Sequence, residues 1–334
     1  MTCRYCLVSL VLLTGLAVGV GLAGAAAAWA AATAEKQGTE AAAPFEVVRF
    51  KENPLIRPEL SPTIGTNING PSLVRVPEWL EKPLGKYYLY FADHGGKFIR
   101  LAYADRLEGP WKIHEPGTLH LSETAAKGHI ASPDVHVDDV KHELRMYFHG
   151  PAAGAQKSFL ATSKDGLHFT AGREVLGPFY FRVFRHGDWW YAVAKQGVLL
   201  RSKDGVTPFE EGPPLFHLDD PKMEVRHSAV KVEGDRLLLF YSRAGDCPER
   251  ILLSTVDMTG DWKSWKASPP QTVLVPEKDY EGGDRPLVPS KSGPAPGPVR
   301  QLRDPGLFIE DGRLYLLYSV AGESGIGMAE LKAK

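Results

Sequence analysis

Two stretches near the middle of the chain, "LATSKDGLHF" at 160–169 and "LLRSKDGVTPF" at 199–209, are built alike. Each has an apolar, strand-like start, then Ser-Lys-Asp-Gly, then an aromatic landing residue. Repetition at a spacing of roughly forty residues marks a stacked or radial architecture, so it governs the reading of the fold. "LAYADRLEGPW" (101–111) and "LLSTVDMTGDW" (252–262) follow the same plan, with an acidic turn, Gly and Trp. Alongside them run the aromatic strands "KYYLYFADH" (86–94), "ELRMYFHG" (143–150), "DWWYAVA" (188–194), "RLLLFYSR" (236–243) and "RLYLLYSV" (313–320). Tyr, Phe, Leu and Val in such runs suit a pleated surface.

Four of these strands follow a second short strand across a polar corner. The "HGD", "EGD" and "EDG" corners are hairpin turns in which Gly supplies a positive φ. The first unit has a longer corner containing Pro77 and Pro83. Units therefore open near Asn69, His129, Tyr180, Arg226 and Arg303. Repeated antiparallel units with little helical periodicity specify an all-β fold, a five-bladed β-propeller. The last unit ends close to the C-terminus at "GIGMAEL", so "PFEVVRFKENPLI" (44–56) is expected to supply its outer strand and close the ring. The Pro/Gly-rich "PSKSGPAPGPVRQ" (289–301) reads as an insertion between blades four and five. Residues 44–334 thus form one propeller domain.

Composition narrows the function. The 334-residue chain carries 39 Lys and Arg against 40 Asp and Glu, without long runs of one sign. This speaks against nucleic acid or an anionic membrane surface as partner. Residues 1–32 have the layout of a cleaved secretory signal peptide: Arg4, an apolar run from Leu7, and small residues around Trp29. An uncleaved membrane anchor is the alternative. With cleavage the protein is secreted or periplasmic, with no stable membrane partner. Cys3 and Cys6 leave with the signal, so Cys247 has no intramolecular disulfide partner. A monomer acting on a carbohydrate substrate is the expectation.

In a propeller, the residues opening each innermost strand face a central funnel. Here the openings are "TNINGPS" (66–72), "GHIASPD" (128–134), "PFYFRV" (178–183), "MEVRHSA" (223–229) and "QLRDPG" (301–306). They bring Asn67, Asn69, His129, Asp134, Tyr180, Arg182, Glu224, Arg226, His227, Arg303 and Asp304 toward one axis. With "GKYYLYFA", "LAYADRLEGPW", "SPDV" and "RDPGLFIEDGRLYLLYS", the chain resembles the five-bladed propeller glycoside hydrolases. These comprise the arabinanase/β-xylosidase family 43 and the invertase-like and neoagarobiose hydrolase families.

The resemblance implies hydrolysis of O-glycosidic bonds in a poly- or oligosaccharide by a carboxylic acid and a carboxylate. In family 43 a base Asp opens blade one, an orienting Asp blade three and an acid Glu blade four. Only Glu224 meets that pattern: blade one has Asn69-Gly70-Pro71 and blade three has Arg182. A shifted set, Asp134, Glu224 and Asp304, keeps the same angular spacing, with His227 or His129 moving protons. His227 is also an acid candidate on the neoagarobiose hydrolase pattern. Asn69, His129, Arg182, Arg226 and Arg303 are the expected substrate contacts, with Trp79 as a stacking platform.

These residues also have structural readings. Asp304 can cap an inner turn, Glu224 can lie in solvent, and His227 can be a satisfied core histidine, whereas Asp134, after Pro133, is less easily explained as a turn and function is favoured there. Asp165 and Asp204, in the repeated turns, are read as braces. No cofactor is required and no spacing marks a metal site. Calcium or sodium on the axis, held by His129, His227 and carbonyls, is the possible exception. Two other functions fit the sequence. One is a carbohydrate-binding propeller without catalysis. The other is a phosphorylase with Arg182, Arg226 and Arg303 around phosphate.

Overall fold

The second strand of each repeat is apolar on both faces, and that decides how the repeats pack. In a computed structural model, described here for residues 41–334 except 219 and 222, Tyr87–Ala92 is buried along its whole length. Successive side chains of a strand point to opposite faces. Tyr87, Leu89 and Phe91 therefore pack with Phe308, Tyr315 and Leu317, whereas Tyr88 and Tyr90 pack with Met146, Phe148 and Phe159. Further clusters of this kind join the remaining neighbours around the ring. A fully buried Phe, Leu or Tyr ring stabilises by about 1.5–3 kcal/mol, so these inter-blade layers are the core.

Five sheets result. From the inside outward, blade one is Asn69–Arg75, Tyr87–Ala92, Phe98–Ala104 and Lys112–Ile113. Blade two is Ala131–Asp138, Glu143–Ala152, Ala155–Ser163 and Thr170–Ala171; blade three is Arg182–His186, Trp189–Val193, Val198–Ser202 and Glu210–Pro214. Blade four is Glu224–Glu233, Arg236–Ala244, Ile251–Asp257 and Gln271–Leu274, extended by Ala41–Ala42 in parallel. Blade five is Arg303–Glu310, Arg313–Ser319 and Ile326–Ala333, and its outermost strand is Phe45–Arg49 from the other end of the chain. The ring closes as the sequence indicates, in the unit Ala41–Lys334. The expected signal peptide, with Cys3 and Cys6, lies outside the described residues. Among the described residues no helix is long and apolar enough to cross a membrane.

The repeated Ser-Lys-Asp-Gly turn now has a physical reason. Asp165 Oδ1 accepts the backbone N–H groups of Leu167 and His168, and Asp204 Oδ1 those of Val206 and Thr207. Against the cost of burial, the His168 ring and these backbone bonds at Asp165, and the backbone bonds with the Thr207 and Ser202 hydroxyls at Asp204, hold both carboxyls down to about 2. The glycine that follows lets the turn dock on the preceding blade. Tyr90 donates to Gly166 O and Tyr147 to Gly205 O, both at 2.8 Å. Both aspartates are braces, as read from the sequence.

Candidate active site at the propeller axis

Four innermost strands share one irregularity. In blades one, two, four and five an extra residue is accommodated after Asn69, Ala131, Val225 and Arg303 respectively. Such a bulge bends the strand and re-aims its side chains. In three of these blades the residue at the bulge has a positive φ and precedes proline: Gly70 (62°), Ser132 (52°) and Asp304 (46°). Only the glycine adopts this conformation without strain, which otherwise costs about 1–2 kcal/mol. Ser132 and Asp304 are therefore held by their surroundings in strained positions facing the axis.

His227 joins them. Its Nδ1 contacts Asp304 Oδ1, and its Nε2 lies 3.1 Å from Ser132 Oγ. All three residues are buried. Ser319 Oγ donates to the other Asp304 oxygen at 3.2 Å. Burial pushes the Asp304 carboxyl up, but His227, Arg303 and Arg226 outweigh it and keep it far below the usual range. Burial lowers His227, more than Asp304 raises it, so the imidazole is neutral at neutral pH. The Tyr180 ring lies 3.8 Å from His227 and 4.6 Å from His149 between centroids. These residues, with Asn69, His94, His129 and Gln156, enclose a cavity of about 10 Å³, room for roughly one water molecule.

Around this centre lies a ring of ion pairs. Glu224 accepts from Lys195 at 2.6 Å and also contacts Ser292. Burial raises its carboxyl, but these partners leave it below the ordinary range. Arg226 donates to Glu249 at 2.8 Å. Arg303 bonds Glu323 at 2.8 Å and Gln301, and lies 3.3 Å from Glu249. Arg226 and Arg303 both reach Gly293 O at 3.2 Å, so the 289–301 insertion folds back against the axis. Asn69 donates to Asn67, which donates to Glu323. Arg182 bonds Pro133 O and Phe181 O, leaving its buried Nη2 without a partner among the described residues.

Two sequence candidates lie elsewhere. Asp134 sits two positions past the bulge residue Ser132, and its carboxylate accepts Val183 N–H of the next blade at 2.8 Å and His136 Nε2 at 2.9 Å. It braces blade two against blade three and does not join the axial cluster. Trp79 lies in the long corner between the first two strands of blade one, the end opposite Asn69. There it stacks on His142 at 5.3 Å and donates to Asp139. The stacking candidate, expected in a loop, therefore lies in a loop away from the strand openings, its ring packed on His142.

The cation site fits poorly as well. His129 bonds Gln156, both His227 nitrogens are engaged, and among the described residues no group of three His, Cys, Asp or Glu is placed for a metal. Sequence reading missed Ser132, Lys195, Glu249 and Glu323. The last three sit between the second and third strands of their blades, a connection that runs to the same end as each inner-strand opening. The signal was partly available: Lys195 and Glu323 are the single charged residues of their connections, whereas Glu249 shares its connection with Asp246 and Arg250.

No family model matches the chain. It is 39% identical over 320 residues to the uncharacterized protein R118 of Acanthamoeba polyphaga mimivirus, covering 85% of this chain and 90% of that protein. The chain belongs to the R118 family. Solved structures add the fold of this R118-family chain. A putative glycoside hydrolase from Parabacteroides distasonis superposes with a TM-score of 0.59 at 13% identity, over 87% of this chain and 97% of that one. A family-43 subfamily 1 enzyme from Xanthomonas citri gives 0.57 at 15% identity, over 82% and 90%. At such identities the likeness is one of fold: the R118-family chain is a five-bladed β-propeller, the fold those structures share.

Proposed function

We propose that this protein is an exported glycoside hydrolase, cleaving O-glycosidic bonds of an oligo- or polysaccharide at the propeller axis. The observation that carries the reading is the buried Asp304–His227 pair lining the axial cavity of a propeller of this type. Asp304 fixes the imidazole so that Nε2, beside Ser132 Oγ on the cavity wall, takes the proton of the attacking water, while the departing oxygen on the opposite face of the sugar takes its proton from solvent. Glu224, kept ionised by Lys195, steadies the positive charge that develops at the anomeric carbon. The leader-like residues 1–32 support export, and a monomer is sufficient because the whole ring is supplied by one chain. Turnover of a panel of aryl glycosides tests the reading. Wild type should release the aglycone, and Glu224→Gln should be slower by about 100-fold or more. Equal rates in both proteins would remove Glu224 from the chemistry.

One observation favours a second reading, a carbohydrate-binding propeller without catalysis. Burial raises the Glu224, Asp304 and Glu323 carboxyls, but their partners hold all three below the ordinary range. Glycoside hydrolysis ordinarily uses an acid that is raised. Sugar binding without product, unchanged in Glu224→Gln, distinguishes it. The phosphorylase reading loses its support, because Arg226 and Arg303 already face Glu249 and Glu323.

A further inference from the structure

Ser132 has no part in glycoside hydrolysis as proposed, yet its position is unusual. It occupies the bulge of blade two at a φ of 52°, where Gly70 and Asp304 stand in blades one and five. The strain aims its hydroxyl at His227 Nε2, 3.1 Å away, while His227 Nδ1 meets the Asp304 carboxylate. Because that carboxylate can only accept, it assigns the proton to Nδ1 and leaves the Nε2 lone pair toward Ser132 Oγ. These three side chains come from three different blades, so their meeting owes nothing to sequence adjacency. Beside them, Arg182 donates to the carbonyl of Pro133, the residue after Ser132. Its other terminal nitrogen is buried and unpartnered among the described residues. His149 Nδ1, on the cavity wall, is likewise buried without a partner among them.

We infer that Ser132, His227 and Asp304 form a nucleophile–base–orienting-acid triad that hydrolyses short-chain carboxylic esters of the acetyl class, with the Arg182 guanidinium as electrophile. The arrangement is the one acyl transfer requires: a hydroxyl bonded to a base that a buried carboxylate holds in the right tautomer. Ser132 Oγ attacks the acyl carbon as its proton passes to His227 Nε2, and the carbonyl π electrons move to oxygen beside Arg182. Collapse of this intermediate breaks the bond to the alcohol oxygen, which takes the proton from His227 and leaves. Water then attacks the acyl–Ser132 ester, giving its proton to His227. The second collapse returns that proton to Ser132 Oγ and releases the carboxylic acid. The neutral state that burial imposes on His227 suits it to accept the first proton. The cavity of about 10 Å³ at the triad holds roughly one water molecule, so even an acetyl group must displace part of its wall, and a longer acyl chain must displace more.

The activity shares His227 and Asp304 with the glycosidase reading, so the substrates must separate the two. The full chain is mixed with p-nitrophenyl acetate, quenched in acid and mapped by peptide mass spectrometry; p-nitrophenyl octanoate and acetyl-free aryl glycosides run in parallel. We expect an acetyl adduct on Ser132 in the wild-type protein, and acetate turnover at least about 10-fold faster than octanoate turnover. Ser132→Ala and His227→Gln should each lower kcat/KM for the acetate by about 100-fold or more. Ester turnover without glycoside cleavage would keep the triad and remove the glycosidase reading. No ester turnover, an adduct only on other residues, or undiminished turnover in folded Ser132→Ala would overturn the triad. The adduct is read on the wild-type chain, so a misfolded variant does not blunt the test.

Discussion

Asp204 and Asp304 show how the same residue type is used in two ways. Asp204 spends one oxygen on a turn, accepting from Ser202, Val206 and Thr207. Asp304 holds an imidazole at the axis. The Ser-Lys-Asp-Gly context revealed the first, because a short acidic side chain before glycine has a local hydrogen-bonding reason to be there. "RDPG" left the second open, since its partner His227 is distant in sequence and reaches it only through the fold. The glycine after Asp204 is as constrained as the aspartate. Its φ is 72°, and an added Cβ would meet Trp190 at 2.9 Å and Tyr147 Oη at 3.1 Å. Gly205→Ala should cost about 1–3 kcal/mol by urea denaturation, through strain and crowding together; no loss would contradict the docked turn. Arg303 is a residue of another kind, buried between Glu249 and Glu323. Arg303→Met should cost about 3–5 kcal/mol, because Glu323 then lies buried without its arginine while Glu249 keeps only Arg226.

At the scale of elements, hairpin chemistry and aromatic runs made the blades legible. The strand openings lie close to where the structure begins its inner strands. Two devices were hidden. A bulge shifts the side-chain alternation within one strand, so Asp134, read as axial, turns toward Val183 of the next blade. The connections between second and third strands look like ordinary turns in the sequence, although Lys195, Glu249 and Glu323 reach the axis from them. The closing strand is a third device, and it was legible from the shortage of chain after "GIGMAEL". Arg49 on that strand bonds Glu281 through Nε at 2.8 Å and through Nη2 at 3.2 Å. Glu281 is fully buried and also accepts from Tyr318 and the Glu277 and Lys278 backbone. Arg49→Met should therefore cost about 3 kcal/mol or more, measured by denaturant titration. A loss within about 0.5 kcal/mol, the range of ordinary surface changes, would show that closure does not depend on this pair.

For the molecule as a whole, the axis concentrates histidines that burial keeps neutral. Burial lowers His129, His149 and His227, with nearby cationic or histidine neighbours adding to the effect. A group lowered in the folded state takes up its proton first in the unfolded chain. Stability from these histidines is therefore complete above the unfolded value of about 6.5 and is lost as the pH falls below it. The carboxylates act in the same direction further down: Asp134, Asp165, Asp204 and Asp304 are all lowered, so stability declines again below about pH 4. The melting temperature should fall between pH 7 and pH 5, and His149→Gln should flatten that slope. A melting temperature constant over this interval would contradict a neutral, buried His149.

The most direct test of an axial hydrolase is NMR of the products formed from a panel of plant and algal glycans, comparing wild type with Asp304→Asn. An amide at this position keeps the shape but removes the charge that orients His227. We expect new anomeric signals with wild type, reporting linkage and stereochemistry together, and their loss in a variant that still melts cooperatively. Undiminished product from Asp304→Asn, or binding without product in both proteins, would contradict catalysis by the Asp304–His227 pair.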